Sequence, residues 1–354
     1  MIKVFLTEKI DNVPIIELLR PNLNISYQNR FTERYPILNQ PVVSIVQDIV
    51  DADYIIIPHN YNYIRANREY LSHCQNLINL NNKKCIVFFP GDDDAPVKMR
   101  DTIVFRNSKY KGDLLGNEFI IPAYSPDLGT KYGFEILPRS DKPSISFCGW
   151  TRFDSKMSAI KAFIKYMIAR VEAMFYRRLI YKIKGLWLRR RALRILKKHS
   201  GMDNRFIERD SYSGNEKTIK IDTKRAEEEF VQNMKSSLFA LCIKGNGNFS
   251  ARFYEALSLA RIPIFIDTDC VLPLSNIINY DDFIIKIDLK EIKSLSDIVI
   301  KSFSNMTEAD INRKQNLARE IYTKYLRIDS FFEYIFDEAI WSNYIDITYA
   351  VNKR

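Results

Sequence analysis

Short unbroken apolar runs, each closed by proline, glycine or a charged residue, recur along the first part of this chain and narrow its fold more than any other feature. They are "MIKVFL" at the start, "ADYIIIP" (52–58), "KKCIVFFPGDDD" (84–94), "DTIVFR" (101–106) and "NEFIIPAY" (117–124), with polar stretches of helical composition between them. A strand with one face in water alternates apolar and polar residues. A continuous run implies burial on both faces, as in a parallel sheet packed between helices. The chain is therefore expected to be α/β. After the polar joint "LPRSDK" (137–142) a second series opens with "PSISFCGW" (143–150), followed by "RFIERD" as a short strand, "AEEEFVQNMKSS" as a helix and "LFALCI" as a strand. The expected organisation is a first domain over 1–140 and a second over 141–325. The aromatic-rich helices of 326–354, including "SFFEYIFDEAIW", are expected to pack back on the first domain.

Composition agrees. A chain of 354 residues with 46% hydrophobic content can fill two cores. No run approaches the roughly 18 apolar residues that span a bilayer, and the first apolar run is too short for a secretory leader, so the expected location is cytoplasmic. Cys74, Cys85, Cys148, Cys242 and Cys270 are widely spaced with no C-x-x-C pair, which reads as reduced buried thiols and predicts neither zinc nor disulfides.

The net charge of +10 is local: residues 155–200 hold 14 Lys and Arg against one acid, Glu172, so the rest of the chain is slightly acidic. Within this segment Ile160, Phe163, Ile164, Met167, Ile168, Val171, Met174 and Phe175 fall on one face of a helix. "YRRLIYKIKGLWLRRRALRILKK" continues as a second, basic helix broken near Gly185, giving a helical hairpin. Basic residues interleaved with Trp and Leu suit an anionic membrane surface, with Arg177, Arg178, Trp187, Arg189, Arg190 and Arg191 as contact candidates. The plainer reading is a solvated hairpin covering the sheet. Nucleic-acid binding fits the charge but leaves the segment described next without a purpose.

"LFALCIKGNGNFSARFYEALSLARIPIFI" (238–266) reads as strand, glycine-rich turn, helix and strand, with Ser250 as N-cap. The free N–H groups and dipole of a helix start favour an anion, and Gly245 and Gly247 let a phosphate approach the backbone. Lys244 and Arg252 add positive charge, and Glu255, three residues beyond Arg252 on the same face, is placed to accept two ribose hydroxyls. The plainer reading makes Arg252 and Glu255 a surface pair. Gly245-x-Gly247-x-x-Ser250, with Asp267 further on, also approximates a dinucleotide fingerprint but lacks its third glycine. Walker A is excluded because no G-K-[ST] follows.

The stretch from Ser236 to Pro273 resembles the signature segment of the exostosin-like glycosyltransferases: a strand, a basic-Gly turn, a Ser-x-Arg-x-x-Glu-Ala helix and a new strand, in that order. "ADYIIIP", "NEFIIPAY" and "SISFCGWTR" match earlier landmarks of that family in order. The sequence departs from the family at Lys244, where Arg is more frequent, at Ile243 (Pro), at Ala260-Arg261 (Gly-Cys) and at Leu274 (Phe). The resemblance implies a GT-B fold, two Rossmann-like domains facing across a cleft. It also implies a nucleoside-diphosphate sugar donor, UDP favoured, with Lys244, Ser250 and Arg252 at the diphosphate, Glu255 at the ribose and Arg152 as a further phosphate contact.

For such a transferase the acceptor's base is expected from the first domain: Asp92, Asp93 and Asp94 follow one strand end and His59 another. The plainer readings are a solvated turn and a loop-holding histidine. Asp267 is a candidate for the transferred sugar. The expected activity is inverting, independent of metal and cofactor, and directed to a growing surface glycan such as a capsule or lipopolysaccharide chain, with a lipid-linked acceptor at the inner membrane face. The alternatives are a dinucleotide-dependent oxidoreductase and a non-enzymatic membrane- or nucleic-acid-binding module.

Overall fold

Each expected apolar run forms a strand, and every described strand pairing within the two sheets is parallel. The computed structural model describes residues 1–25, 38–152, 155–175, 177–210, 222–343 and 345. The chain divides into two units. Unit 1 comprises Met1–Pro126, Val271–Leu274 and Thr323–Arg354; unit 2 comprises Asp127–Cys270 and Ser275–Tyr322.

Unit 1 contains β1 (Lys3–Leu6), α1 (Arg20–Leu23), β2 (Ser44–Val46), β3 (Tyr54–Asn60), α2 (Tyr61–Ile64), α3 (Arg68–Asn81), β4 (Cys85–Phe89), β5 (Thr102–Arg106) and β6 (Glu118–Ile120). The strands lie in the order β2-β1-β3-β4-β5-β6. β4 and β5 are buried along their whole length, as unbroken apolar runs require. β2 escaped the sequence reading because it is a short, half-exposed edge strand with no such run. α3 is capped by the Asn67 side chain, which accepts from the Tyr70 N–H, and ends at Asn82 in the left-handed region. It sets Tyr70, Cys74 and Ile78 against the sheet at intervals of four.

Unit 2 contains α4 (Leu128–Tyr132), β7 (Ser144–Trp150), α5 (Lys156–Phe175), α6 (Gly185–Lys197), β8 (Asp203–Arg209), α7 (Thr223–Lys235), β9 (Phe239–Cys242), α8 (Ala251–Ser258), β10 (Ile262–Asp267), β11 (Ile285–Asp288), α9 (Leu295–Ser304) and α10 (Glu308–Ile321). The order is β11-β10-β9-β7-β8. The chain runs outward from β7 to β8, then returns to the other side of β7 for β9. The β7/β9 junction is thus a topological switch point, where an open parallel sheet offers a crevice at its carboxyl edge.

The helix expected to continue from Arg177 is instead a 3₁₀ segment (Arg177–Lys182) followed by α6, which begins at Gly185. α6 buries Leu188, Ala192, Leu193 and Leu196. The last helix, α11 (Ile328–Ile335), buries Phe331, Phe332 and Ile335 within unit 1, with Phe332 edge-on to Phe88 at 5.8 Å and Phe336 stacked on Trp341 at 4.7 Å.

Candidate functional site

The β7/β9 switch point gathers residues from three separate stretches. β9 is buried throughout and leads through Ile243 into the turn 244–249. Inside the turn the Gly245 N–H donates to the Phe249 carbonyl at 3.2 Å. Asn248, which sequence reasoning passed over, fastens the turn to the loop after β10. Its amide donates to the Asp269 carbonyl at 3.2 Å and its oxygen accepts from the Thr268 hydroxyl at 2.6 Å. The Cys270 thiol donates to the Asn248 carbonyl at 3.0 Å, and burial pushes that thiol well above its ordinary range. Both Asn248 and Thr268 are buried, so the turn is held from beneath.

Ser250 stands at the N-cap of α8 in extended conformation, but its hydroxyl makes no capping hydrogen bond. It therefore leaves the first N–H groups of the helix to another acceptor. The Arg252 guanidinium reaches across to β7. Its Nη2 donates to the Cys148 carbonyl at 2.7 Å, and its carbon lies 4.4 Å from the centre of the Phe147 ring and 5.8 Å from that of Phe230. Its Nε is buried and has no hydrogen-bond partner among the described residues. Gly149 makes this possible: a Cβ there would stand 2.7 Å from Arg252 Nη2. The glycine of "FCGW" and the arginine of "FSAR" are thus one feature.

Glu255 follows one turn later, partly buried. Among the described residues its carboxylate makes no ion pair with Arg252 and accepts no hydrogen bond, so the two are not an ordinary surface pair. Burial raises its pKa to about 7, with the Arg252 charge opposing.

The Lys244 ammonium is buried and donates to the Tyr181 carbonyl at 2.6 Å, while the Tyr181 hydroxyl donates to Asp288 at 3.0 Å. Gly185 explains where α6 starts: a Cβ there would lie 2.2 Å from the Lys244 carbonyl oxygen and 2.3 Å from that of Gly245. Arg189, one turn into α6, comes within 3.8 Å of where a Cβ on Gly245 would be. The basic segment thus packs on the glycine turn. Trp187, Arg189, Arg190 and Arg191 are all partly buried, and the side chains of Arg177 and Arg178 lie outside the description.

Arg152 is 67% exposed and pairs with Asp210 at 3.0 Å. Asp267 accepts from the Cys270 N–H at 2.9 Å and pairs with Lys286 at 3.1 Å. Gly247 is buried in the turn. A hollow of about 540 Å³ lined by Asp267, Asp281, Lys286 and Asp288 lies at the β10 and β11 edge, away from Arg252.

In unit 1, His59 is fully buried and both ring nitrogens are engaged with backbone: Nε2 accepts from the Ile10 N–H at 2.8 Å and Nδ1 donates to the Pro14 carbonyl at 3.1 Å. Burial lowers its pKa. Asp93 pairs with Arg65 and accepts from the Ala95 N–H at 2.8 Å, interactions that hold its carboxyl below the usual range; Asp92 and Asp94 are exposed. The loop carrying them is anchored by a buried network not foreseen from the sequence. Arg106 and Lys109 share Glu118, while Arg106 also donates to the Asp93 carbonyl at 2.8 Å and Lys109 to that of Asp94 at 3.0 Å.

Residues 188–301, from α6 through most of α9, match the family model of the exostosin GT47 domain. Over these residues the chain is exostosin-like. The match contains the glycine turn, Arg252 and Glu255. The chain is also 31% identical over 72 residues to a probable glycosyltransferase of Arabidopsis thaliana, covering 20% of this chain and 15% of that protein. It is 32% identical over 88 residues to a probable glucuronosyltransferase of Oryza sativa subsp. japonica, covering 25% and 19%. These alignments span less than a fifth of either relative's length. Among solved structures, TarM is similar with a TM-score of 0.36 at 9% identity, over 83% of this chain and 54% of that one. A Staphylococcus aureus TarM variant in complex with fondaparinux, α-GlcNAc-glycerol and UDP has a TM-score of 0.37 at 10% identity, over 80% and 55%. The chain itself carries two α/β units, each built on a parallel sheet.

Proposed function

We propose that this chain transfers a sugar from a nucleoside-diphosphate donor, UDP favoured, to a growing glycan. The observation that carries the reading is the Arg252 guanidinium at the switch point of unit 2, held on the Cys148 carbonyl one helix turn from Glu255, with neither its buried Nε nor the Glu255 carboxylate partnered among the described residues. Arg252 and the uncapped start of α8 supply positive charge to a departing diphosphate, and the Glu255 carboxylate accepts ribose hydroxyls. Lys244 acts from beneath the turn, and Ser250 lines the helix start. Inversion at the anomeric carbon without a metal, and an acceptor in a capsule or lipopolysaccharide chain, complete the reading. They rest on the family resemblance. Asp92 and Asp94 are the candidates for the base that takes the acceptor proton; His59, committed to a loop on both nitrogens, is not retained in that role.

The test is calorimetric titration with UDP, GDP, CMP, UDP-glucuronate and NAD, with and without magnesium. UDP-glucuronate is included because of the naming of the rice relative. Metal-independent binding of one nucleoside diphosphate, lost in Arg252→Ala, is expected. Binding of NAD alone, or of none of the panel, refutes the proposal.

A further inference from the structure

Two helices of unit 2 carry strong apolar faces, and they turn them in opposite directions. α6 points its leucines into the unit. α5 does the reverse. Ala159, Ala162, Tyr166 and Ala169 are its partly buried side, with Tyr166 edge-on to Trp187 at 5.2 Å. Its larger residues, Ile160, Phe163, Ile164, Met167, Ile168 and Val171, are 42–53% exposed. These six fall at helical intervals of three and four, so they form one continuous stripe about three turns long. Isolated exposed apolar side chains are ordinary; a contiguous stripe of six marks a contact surface.

The charge around the stripe selects its occupant. Lys161 and Lys165 are exposed along one border of it. The segment 155–200 as a whole holds 14 basic residues against one acid. Pairing this face with a second copy of itself would bring two strongly positive segments together, which like-charge repulsion opposes. An anionic lipid surface answers both features at once, taking the apolar stripe into the acyl boundary and the lysines against the headgroups. No described helix is long and apolar enough to cross a membrane, and the lysines of α5 suit a helix lying in the plane of the interface.

The geometry points to α5 as an interfacial anchor that seats unit 2 on an anionic bilayer. The proposal moves the membrane contact from Trp187 and Arg189–Arg191, which are partly buried on α6, to the exposed stripe of α5. It stands independently of the sugar-transfer reading.

The experiment is co-sedimentation of the full chain with sucrose-loaded vesicles of phosphatidylcholine containing 30% phosphatidylglycerol, compared with phosphatidylcholine alone. The double variant Ile164→Glu/Ile168→Glu and the variant Lys161→Gln/Lys165→Gln are run in parallel. All four side chains are exposed, so the variants should keep the parent's circular dichroism and melting temperature. The parent is expected to bind the anionic vesicles at least tenfold more strongly than the neutral ones. The isoleucine variant should lose at least tenfold, and the lysine variant should lose part of the preference for anionic lipid, as should the parent in 0.5 M NaCl. Failure of the parent to bind anionic vesicles overturns the proposal, as does equal binding by the isoleucine variant. A parent that is dimeric by light scattering, monomeric in the isoleucine variant and indifferent to vesicles shows that a second copy covers the stripe, and also overturns it.

Discussion

Replacing Gly149 by alanine tests whether Arg252 is held in place by the strand beneath it. The added methyl would stand 2.7 Å from Arg252 Nη2, well inside van der Waals contact, and the guanidinium, the far end of a flexible side chain, must swing away. It then gives up the 2.7 Å hydrogen bond to the Cys148 carbonyl and its seat over the Phe147 ring. A charged hydrogen bond is worth about 1.5–3 kcal/mol and a partly buried cation–π contact about 1 kcal/mol. Because the displaced end recovers some solvation, a net loss of about 1–3 kcal/mol in unfolding free energy is expected. Urea denaturation of the parent, Gly149→Ala, Arg252→Ala and the double variant gives the coupling directly. If the glycine acts only through the arginine, the double variant is no less stable than Arg252→Ala, and the coupling energy is about the whole effect of Gly149→Ala. The same four proteins titrated with UDP should show Gly149→Ala losing 10- to 100-fold in affinity although residue 149 donates nothing to the ligand. Additive stability losses, or unchanged affinity in Gly149→Ala, would refute the coupling.

Other outcomes follow from the same geometry. Glu255 has a folded pKa near 7, above the ordinary glutamate value of about 4.3. Between those values the folded state binds the extra proton, so stability should fall by about 2–3 kcal/mol as pH rises from 4.5 to 7 and then level off. Nucleotide affinity should move the opposite way, rising up to tenfold per unit toward pH 7 as the carboxylate forms, and Glu255→Gln should flatten both curves. Ala260 sits at φ +57°, a left-handed conformation that costs an L-residue about 1–2 kcal/mol. Ala260→Gly should therefore raise stability by about 0.5–1 kcal/mol net of the freer unfolded chain, and a lower melting temperature in the variant would contradict this. His59→Ala empties a fully buried site and strips partners from the partly buried Ile10 N–H and the Pro14 carbonyl, and should cost about 1–3 kcal/mol. UDP affinity should be unchanged in His59→Ala; a loss of affinity without loss of stability would show that His59 does more than hold a loop.

Much of the architecture was written in local pattern. Unbroken apolar runs specify strands buried on both faces because a strand's side chains alternate sides at every residue, and β4, β5, β7 and β9 follow that rule. The turn and helix from Lys244 to Ser258 were legible for the same reason: glycine, cap position and helical spacing are properties of neighbours in sequence. Edge strand β2 was not, since a partly exposed pairing carries little hydrophobic signal. Long-range partnership was beyond reach of the sequence altogether. That Gly149 clears room for Arg252, that Gly185 begins α6 because the backbone at Lys244 and Gly245 touches it, and that Asn248 ties the turn to Thr268 and Asp269 are decided by contacts across 20 to more than 100 residues. So is the direction each amphipathic helix faces. The periodicity of α5 and α6 determines that each has an apolar side, but only the packing of the folded unit decides which side meets protein; α6 has its leucines inside, and α5 leaves its isoleucines to the outside.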